Sequence, residues 1–85
     1  MQMTRPEIAM RFEHMINKIL ESTGSVTIRT STRLNLRITK QVKTTYDSIG
    51  IFLEGSIESW YQCTCKYTKM YVLYDTITAL TDRGA

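Results

Sequence analysis

Five basic side chains form the part of this sequence that is best suited to bind a ligand. They occupy a stretch without acidic residues between Glu21 and Asp47, so this stretch carries a charge of +5 while the rest of the chain carries −2. Charge segregated in this way favours a polyanion such as RNA, or an acidic protein surface, as the partner. On β-strands, residues at positions of the same parity share a face. The three arginines all occupy odd positions, so they would form a stripe that can bind successive phosphate groups of a nucleic acid. The candidate RNA-binding residues in this stretch are Arg29, Arg33, Arg37, Lys40 and Lys43.

A catalytic centre has little support in the sequence. The only histidine, His14, falls on the exposed side of a predicted helix, and no glycine-rich phosphate loop precedes a helix. Glu54 and Glu58 fall on the polar face of a predicted strand, where contact with solvent is the usual role of a carboxylate. We therefore predict that the protein is not an enzyme and needs no cofactor.

Cys63 and Cys65 are the only cysteines and form a C-x-C pattern. On a strand both side chains point to the same face, which is a poor geometry for a disulfide between them, and a metal site would need two further ligands. We interpret both as buried, unpaired thiols, with a bond to another chain or a metal role as the alternatives. Unpaired cysteines favour a cytoplasmic location. No apolar stretch is long enough for a secretory signal or a membrane span, so we expect no membrane partner.

An amphipathic helix is predicted to position the N-terminal part of a single small domain. Thr4 and Glu7 have the spacing of a capping box, apolar residues then recur at helical spacing, and Gly24 is placed to end the helix. These signals predict a helix over about residues 5–22. A domain of 85 residues buries a thin core, so self-association is expected to contribute to its stability.

After Gly24 the apolar period changes from helical to two, which is typical of β-strands. Between Val26 and Ile38 the apolar residues occupy even positions. This span is longer than a typical strand and predicts a hairpin near residues 31–33, which requires an odd number of loop residues because an even number would expose half of the apolar set. From Ile49 to Cys65 most apolar residues occupy odd positions, and Gly55 interrupts this alternation. Either a three-residue loop or one sharply bent strand would explain the glycine. A strand is predicted over 69–74, followed over 76–80 by a last strand or a short helix.

The run from Tyr46 to Gln62 resembles the Sm1 motif of the Sm-like proteins, and within that family it is most similar to the bacterial RNA chaperones of the Hfq type. Gly50 and Gly55 have the family's spacing, and Ile57 and Trp60 fill its apolar and aromatic positions. The resemblance implies an N-terminal helix before a small β-barrel of about five strands, a continuous strand bent at Gly55, RNA binding, and assembly into a closed ring.

The resemblance also implies particular site residues. Four residues match an adenine-binding surface of the family: Tyr46, Gly50, Ile51 and Leu53. Gln62 matches one residue of the family's uridine pocket, whose lysine–histidine pair has no counterpart here because Asp75 lies in that segment. The match for Trp60 faces inward in the family, which favours a core position for this tryptophan, with a base-stacking role as the alternative.

The sequence thus predicts one α+β domain in which the amphipathic helix precedes a strongly bent antiparallel sheet or a small Sm-like β-barrel. The basic segment 25–43 is expected to form a strand or hairpin, and the barrel-like strands to cover 45–80. The predicted function is non-catalytic binding of RNA or single-stranded nucleic acid by a homo-oligomer. The alternative is a small phage or mobile-element inhibitor whose basic strand face binds an acidic surface of a host protein.

Overall fold

One helix packs against a six-stranded antiparallel sheet in the computed structural model of the chain, which describes residues 4–60 and 64–81. The elements are α1 (Arg5–Thr23), β1 (Ser25–Thr30), β2 (Asn35–Thr39), β3 (Lys43–Tyr46), β4 (Gly50–Trp60), β5 (Thr64–Leu73) and β6 (Ile77–Thr81), with a 3-10 turn over Tyr74–Thr76 before β6. The predicted α+β fold, with the helix first and a bent antiparallel sheet after it, is confirmed.

The ends of α1 follow the capping signals in the sequence. The Thr4 hydroxyl accepts a hydrogen bond from the Glu7 backbone N–H at 3.4 Å, and the same hydroxyl donates to the Glu7 carboxylate at 3.0 Å. At the other end, Gly24 has a φ of 87° and its N–H donates to the Leu20 carbonyl at 2.8 Å. Glycine adopts this left-handed conformation without a steric penalty, so the helix ends where the sequence predicts, within one residue.

The predicted hairpin with an odd-length loop is confirmed by β1 and β2. Their register runs from Ser25 opposite Thr39 to Arg29 opposite Asn35. The Thr30 N–H donates to the Leu34 carbonyl at 3.1 Å, so Leu34 lies opposite Thr30 and three residues, 31–33, form the loop between them. This register places Val26 and Ile28 on the same face as Leu36 and Ile38, and all four are buried. An odd loop length is therefore what keeps both apolar sets on the core side.

β4 is one continuous strand that bends at Gly55. Of the two predicted explanations for this glycine, a three-residue loop or a sharply bent strand, the bent strand is therefore the one found. Its pairing register with β5 shifts between Glu54 and Ile57, and Gly55 has a φ of 139°. The half before the bend pairs with β3 and the half after it pairs with β2 on the same edge, while β5 follows the other edge. A single bent strand thus joins two parts of the sheet.

The sheet is open, so of the two predicted alternatives the strongly bent antiparallel sheet is confirmed and the small barrel is not formed; the sheet has six strands where about five were expected. Within residues 4–60 and 64–81, β5 pairs only with β4, and β6 pairs only with β1. Within the same residues, β5 and β6 have no hydrogen bonds to each other that would close the sheet, and β3 pairs only with β4. One edge of each of β3, β5 and β6 therefore remains without a strand partner in the described part of the chain.

The core lies between α1 and one face of the sheet. Ile49, which the odd-position pattern assigned to the core, is 46% exposed because it lies in the turn before β4. The fully buried aliphatic side chains are Ile16, Val26, Ile28, Leu36, Ile38, Ile51, Leu53 and Ile57.

No helix in the described ranges is long and apolar enough to cross a membrane.

Tyr74 links the 3-10 turn to the helix and to the β3–β4 turn. Its ring stacks on that of Phe12 with 4.7 Å between centroids. Its hydroxyl donates to the Asp47 carbonyl at 2.7 Å. Burial raises the pKa of Tyr74 to about 12, and negative charge near the ring acts in the same direction. The neutral phenol thus fixes the turn that leads into the bent strand.

Candidate nucleic-acid interface

Cross-strand pairing brings two arginines and the only tryptophan together on one face of the sheet. Asn35 pairs with both Arg29 and Trp60, so these three residues form one row across β1, β2 and β4. The next row contains Arg37, Glu58 and Lys66, because Glu58 pairs with both of the others. We call these six residues the arginine face: Arg29, Asn35, Arg37, Glu58, Trp60 and Lys66.

The arginine face lies opposite the core. Leu36 and Ser59 alternate with its residues along β2 and β4, and both are buried. Arg29, Arg37, Glu58 and Lys66 are exposed, while Asn35 and Trp60 are partly exposed. The face therefore offers cations for phosphate groups beside an aromatic ring on which a base can stack.

Trp60 has an unsatisfied polar group. Its indole Nε1 is buried and has no hydrogen-bond partner within residues 4–60 and 64–81. Tryptophan N–H groups usually find a partner when they are buried, but an atom that is covered in this way is not exposed to a ligand on the surface. The family resemblance favoured a core position for Trp60, but the ring shares the face of the arginines.

The remaining basic residues of the 25–43 segment lie outside the two rows of the arginine face. Arg33 is at the exposed β1–β2 turn with a φ of 66°, a left-handed conformation that costs a non-glycine residue about 1 kcal/mol or more. Lys40 is exposed in the β2–β3 turn, and Lys43 is exposed on β3 opposite Glu54. The structure thus brings Arg29 and Arg37 together on the sheet and leaves Arg33 and Lys40 in turns.

The residues suggested by the adenine-binding resemblance belong to the interior. Ile51 and Leu53 are fully buried, and Gly50 is buried beneath the Tyr71 ring. Tyr46 packs against the core cluster. Gly50, Ile51 and Leu53 have almost no exposed surface to offer RNA in this conformation, and Tyr46 is only partly exposed with its hydroxyl buried. We therefore leave these four residues out of the interface.

Burial raises the pKa of Tyr46 above the usual value for tyrosine, and the carboxylate of Glu13 adds to this effect. The Thr44 side chain acts in the opposite direction, although the Tyr46 hydroxyl has no partner in hydrogen-bond geometry within residues 4–60 and 64–81. Tyr46 is therefore a partly buried, neutral phenol whose hydroxyl is covered.

The C-x-C region contains two further sequence predictions. Gln62 and Cys63 lie outside the described residues. Cys65 is disulfide-bonded, so the interpretation of this residue as an unpaired thiol is wrong. A reduced thiol can therefore no longer serve as the argument for a cytoplasmic location.

Sequence reasoning missed Asn35 and Lys66 and undervalued Trp60, although one signal was available. Apolar residues of β4 occupy odd positions, so the even-numbered Trp60 falls on the opposite face by alternation alone. Asn35 and Lys66 join the face through strand register, which depends on pairing between distant segments and leaves no local trace in the sequence.

In residues 4–60 and 64–81, no group of three or more histidine, cysteine, aspartate or glutamate residues could hold a metal ion. A scan against protein-family models gave no match, and a search of curated proteins found no significantly similar relative.

Proposed function

We propose that this chain is a non-catalytic module that binds single-stranded RNA through the arginine face. The observation that carries the proposal is the row in which Arg29, Asn35 and Trp60 lie side by side, with Arg37 in the adjacent row. Arginine binds phosphate through several donors, and an aromatic ring stacks on a base of any sequence.

A single strand fits this surface better than a duplex does. Bases in a duplex are stacked on one another, whereas unpaired bases can turn onto an aromatic ring on a sheet. Stacking contributes about 1–3 kcal/mol per base, and each phosphate contact adds a salt-dependent term. Two arginines and one tryptophan are therefore sufficient for weak binding by one chain, and repetition of the face in an oligomer would strengthen it.

The experiment that tests RNA binding uses the fluorescence of Trp60, the only tryptophan. Titration with single-stranded RNA is expected to quench its emission, since the base would stack on the ring. Unchanged emission together with no binding of a labelled strand at low salt would exclude the proposal.

We propose further that the chain is related to the Sm-like proteins of the Hfq type and that it acts as an oligomer in the cytoplasm. The helix-first order and the bend of β4 at Gly55 support the relationship. The proposed location follows from the proposed RNA ligand.

The free edge of β5 supports self-association. Tyr67, Tyr71 and Leu73 lie on this strand and are 40%, 42% and 43% exposed. An edge strand with exposed apolar side chains is a template for pairing with another chain. β6 offers a second free edge in the described part of the chain, so a head-to-tail arrangement that closes into a ring would cover both edges.

Light scattering coupled to size exclusion is expected to show a closed oligomer at micromolar concentration. Leu73→Lys should shift the protein towards monomer, because a charge at the edge opposes strand addition. Met10→Lys is the matched control: Met10 is 70% exposed on α1, away from the edge, and its replacement should leave the mass unchanged. A monomeric wild-type protein would exclude the ring.

A further inference from the structure

A hollow of about 340 Å³ lies beside the bend of β4. Pairing of β4 with β3 stops at Glu54, and pairing with β2 starts at Glu58, so the chain between them leaves a gap along that edge. This volume is at the lower end of the range for small-molecule sites, which suits one base better than a larger ligand. The lining residues are Arg37, Thr39, Gln41, Ser56 and Glu58.

The hollow is continuous with the arginine face. Arg37 and Glu58 belong to both, and Trp60 follows Glu58 by two positions on the same strand, which places it on the same face. A base held in the hollow would therefore be a neighbour of a base stacked on Trp60. The hollow is a second contact point for one strand.

Glu58 determines which chemical groups the hollow can accept. A carboxylate only accepts hydrogen bonds, and it repels phosphate oxygens, so a phosphate is a poor occupant of the position beside it. Arg37 supplies donors, and the carboxamide of Gln41 supplies both donors and an acceptor. The best occupant has two adjacent donors for Glu58 and acceptors for the other side chains.

Guanine is the base with that pattern. Its N1–H and 2-amino group are adjacent donors that match the two carboxylate oxygens, and its O6 and N7 are acceptors of the kind that arginine binds. Adenine and cytosine offer one amino group on the pairing edge, and uracil offers one N–H. We propose, on the basis of the proposed RNA binding, that the hollow is a guanine-selective subsite in which Glu58 reads the base.

The test compares three short oligouridines that differ at one central position, which is guanosine, inosine or uridine. Inosine lacks the 2-amino group and keeps the rest of the guanine ring. Because one good bidentate contact is worth about 1–3 kcal/mol, the guanosine strand is expected to bind the wild-type protein about tenfold more tightly than the inosine strand. Binding is measured by anisotropy of the labelled strand.

Two glutamine variants test whether the preference for guanosine over inosine arises in the hollow. Glu58→Gln should bind the guanosine and inosine strands equally, because a carboxamide cannot accept from both donors. Glu54→Gln is the matched control: Glu54 is paired with Lys43 and Lys69, as Glu58 is paired with Arg37 and Lys66, but it does not line the hollow. This control should keep the tenfold preference, since it changes only the charge.

Failure of the guanine subsite and failure of RNA binding give different results in this experiment. Equal binding of all three strands by the wild-type protein would overturn the guanine subsite and leave RNA binding intact. A guanosine preference that persists in Glu58→Gln would also overturn it, because the base would then be read elsewhere. If no strand binds, the RNA proposal fails, and the guanine subsite fails with it.

Discussion

Replacement of both Arg29 and Arg37 by alanine is expected to weaken binding of single-stranded RNA about tenfold or more at moderate salt. Both side chains are exposed on the face that carries Trp60. Each lost phosphate contact on a single strand should lower the slope of log K against log salt by about 0.7, so two lost contacts should lower it by about 1.4. Anisotropy titrations at several salt concentrations measure both quantities.

The control for this pair removes the same charge from another surface. Arg5 and Lys18 are exposed on α1, so Arg5→Ala with Lys18→Ala changes the net charge equally without changing the arginine face. The control should keep at least most of the affinity and the full salt slope. Equal losses in the two double variants would mean that the protein attracts RNA only through its overall charge, and the proposed interface would then be wrong.

Substitution of Gly50 or Gly55 by alanine should be the most destabilising single-methyl change in the chain. A Cβ at Gly50 would lie 2.6 Å from the Val72 carbonyl oxygen, a backbone atom that the β4–β5 pairing holds in place. At Gly55 the φ of 139° is one that L-residues rarely adopt, and a Cβ would lie 3.1 Å from the Val42 Cα. We expect each variant to lose about 2–4 kcal/mol of unfolding free energy.

Gly24 supplies the matched control for these two positions. Its φ of 87° is also left-handed, but a Cβ there would have no atom within 4 Å. Gly24→Ala should therefore cost only about 1 kcal/mol. Urea denaturation of the three variants tests this order, and failure of Gly50→Ala or Gly55→Ala to fold agrees with it. A Gly55→Ala protein as stable as the wild type would contradict a bend at that residue.

The elements that the sequence predicted well are those encoded by neighbouring residues. Thr4, Glu7 and Gly24 define the helix ends through contacts within one or two turns. The hairpin loop follows from the parity of Val26 and Ile38, because only an odd loop keeps both on the core side. The bend at Gly55 needed more than the pattern: alternation left two possibilities, and the family resemblance favoured the one that the structure has.

The predictions that failed, and the interpretation of Trp60 that changed, have separate causes. Closure into a barrel requires the two outermost strands to meet, and no local pattern in β5 or β6 encodes whether they do. The state of Cys65 was argued from the rule that alternate residues of a strand share a face, and the residue is disulfide-bonded nonetheless. For Trp60, the strand's own alternation was a better guide than the matched position in another family.

The most direct test of the arginine face compares two polyanions at one salt concentration while the emission of Trp60 is recorded. Single-stranded RNA supplies phosphates and bases, whereas heparin supplies charge alone. If bases stack on Trp60, RNA quenches the emission to saturation and heparin competes for binding without quenching. Equal responses to both polyanions, or no response to RNA, would contradict base stacking at this face and would favour an acidic protein surface as its partner.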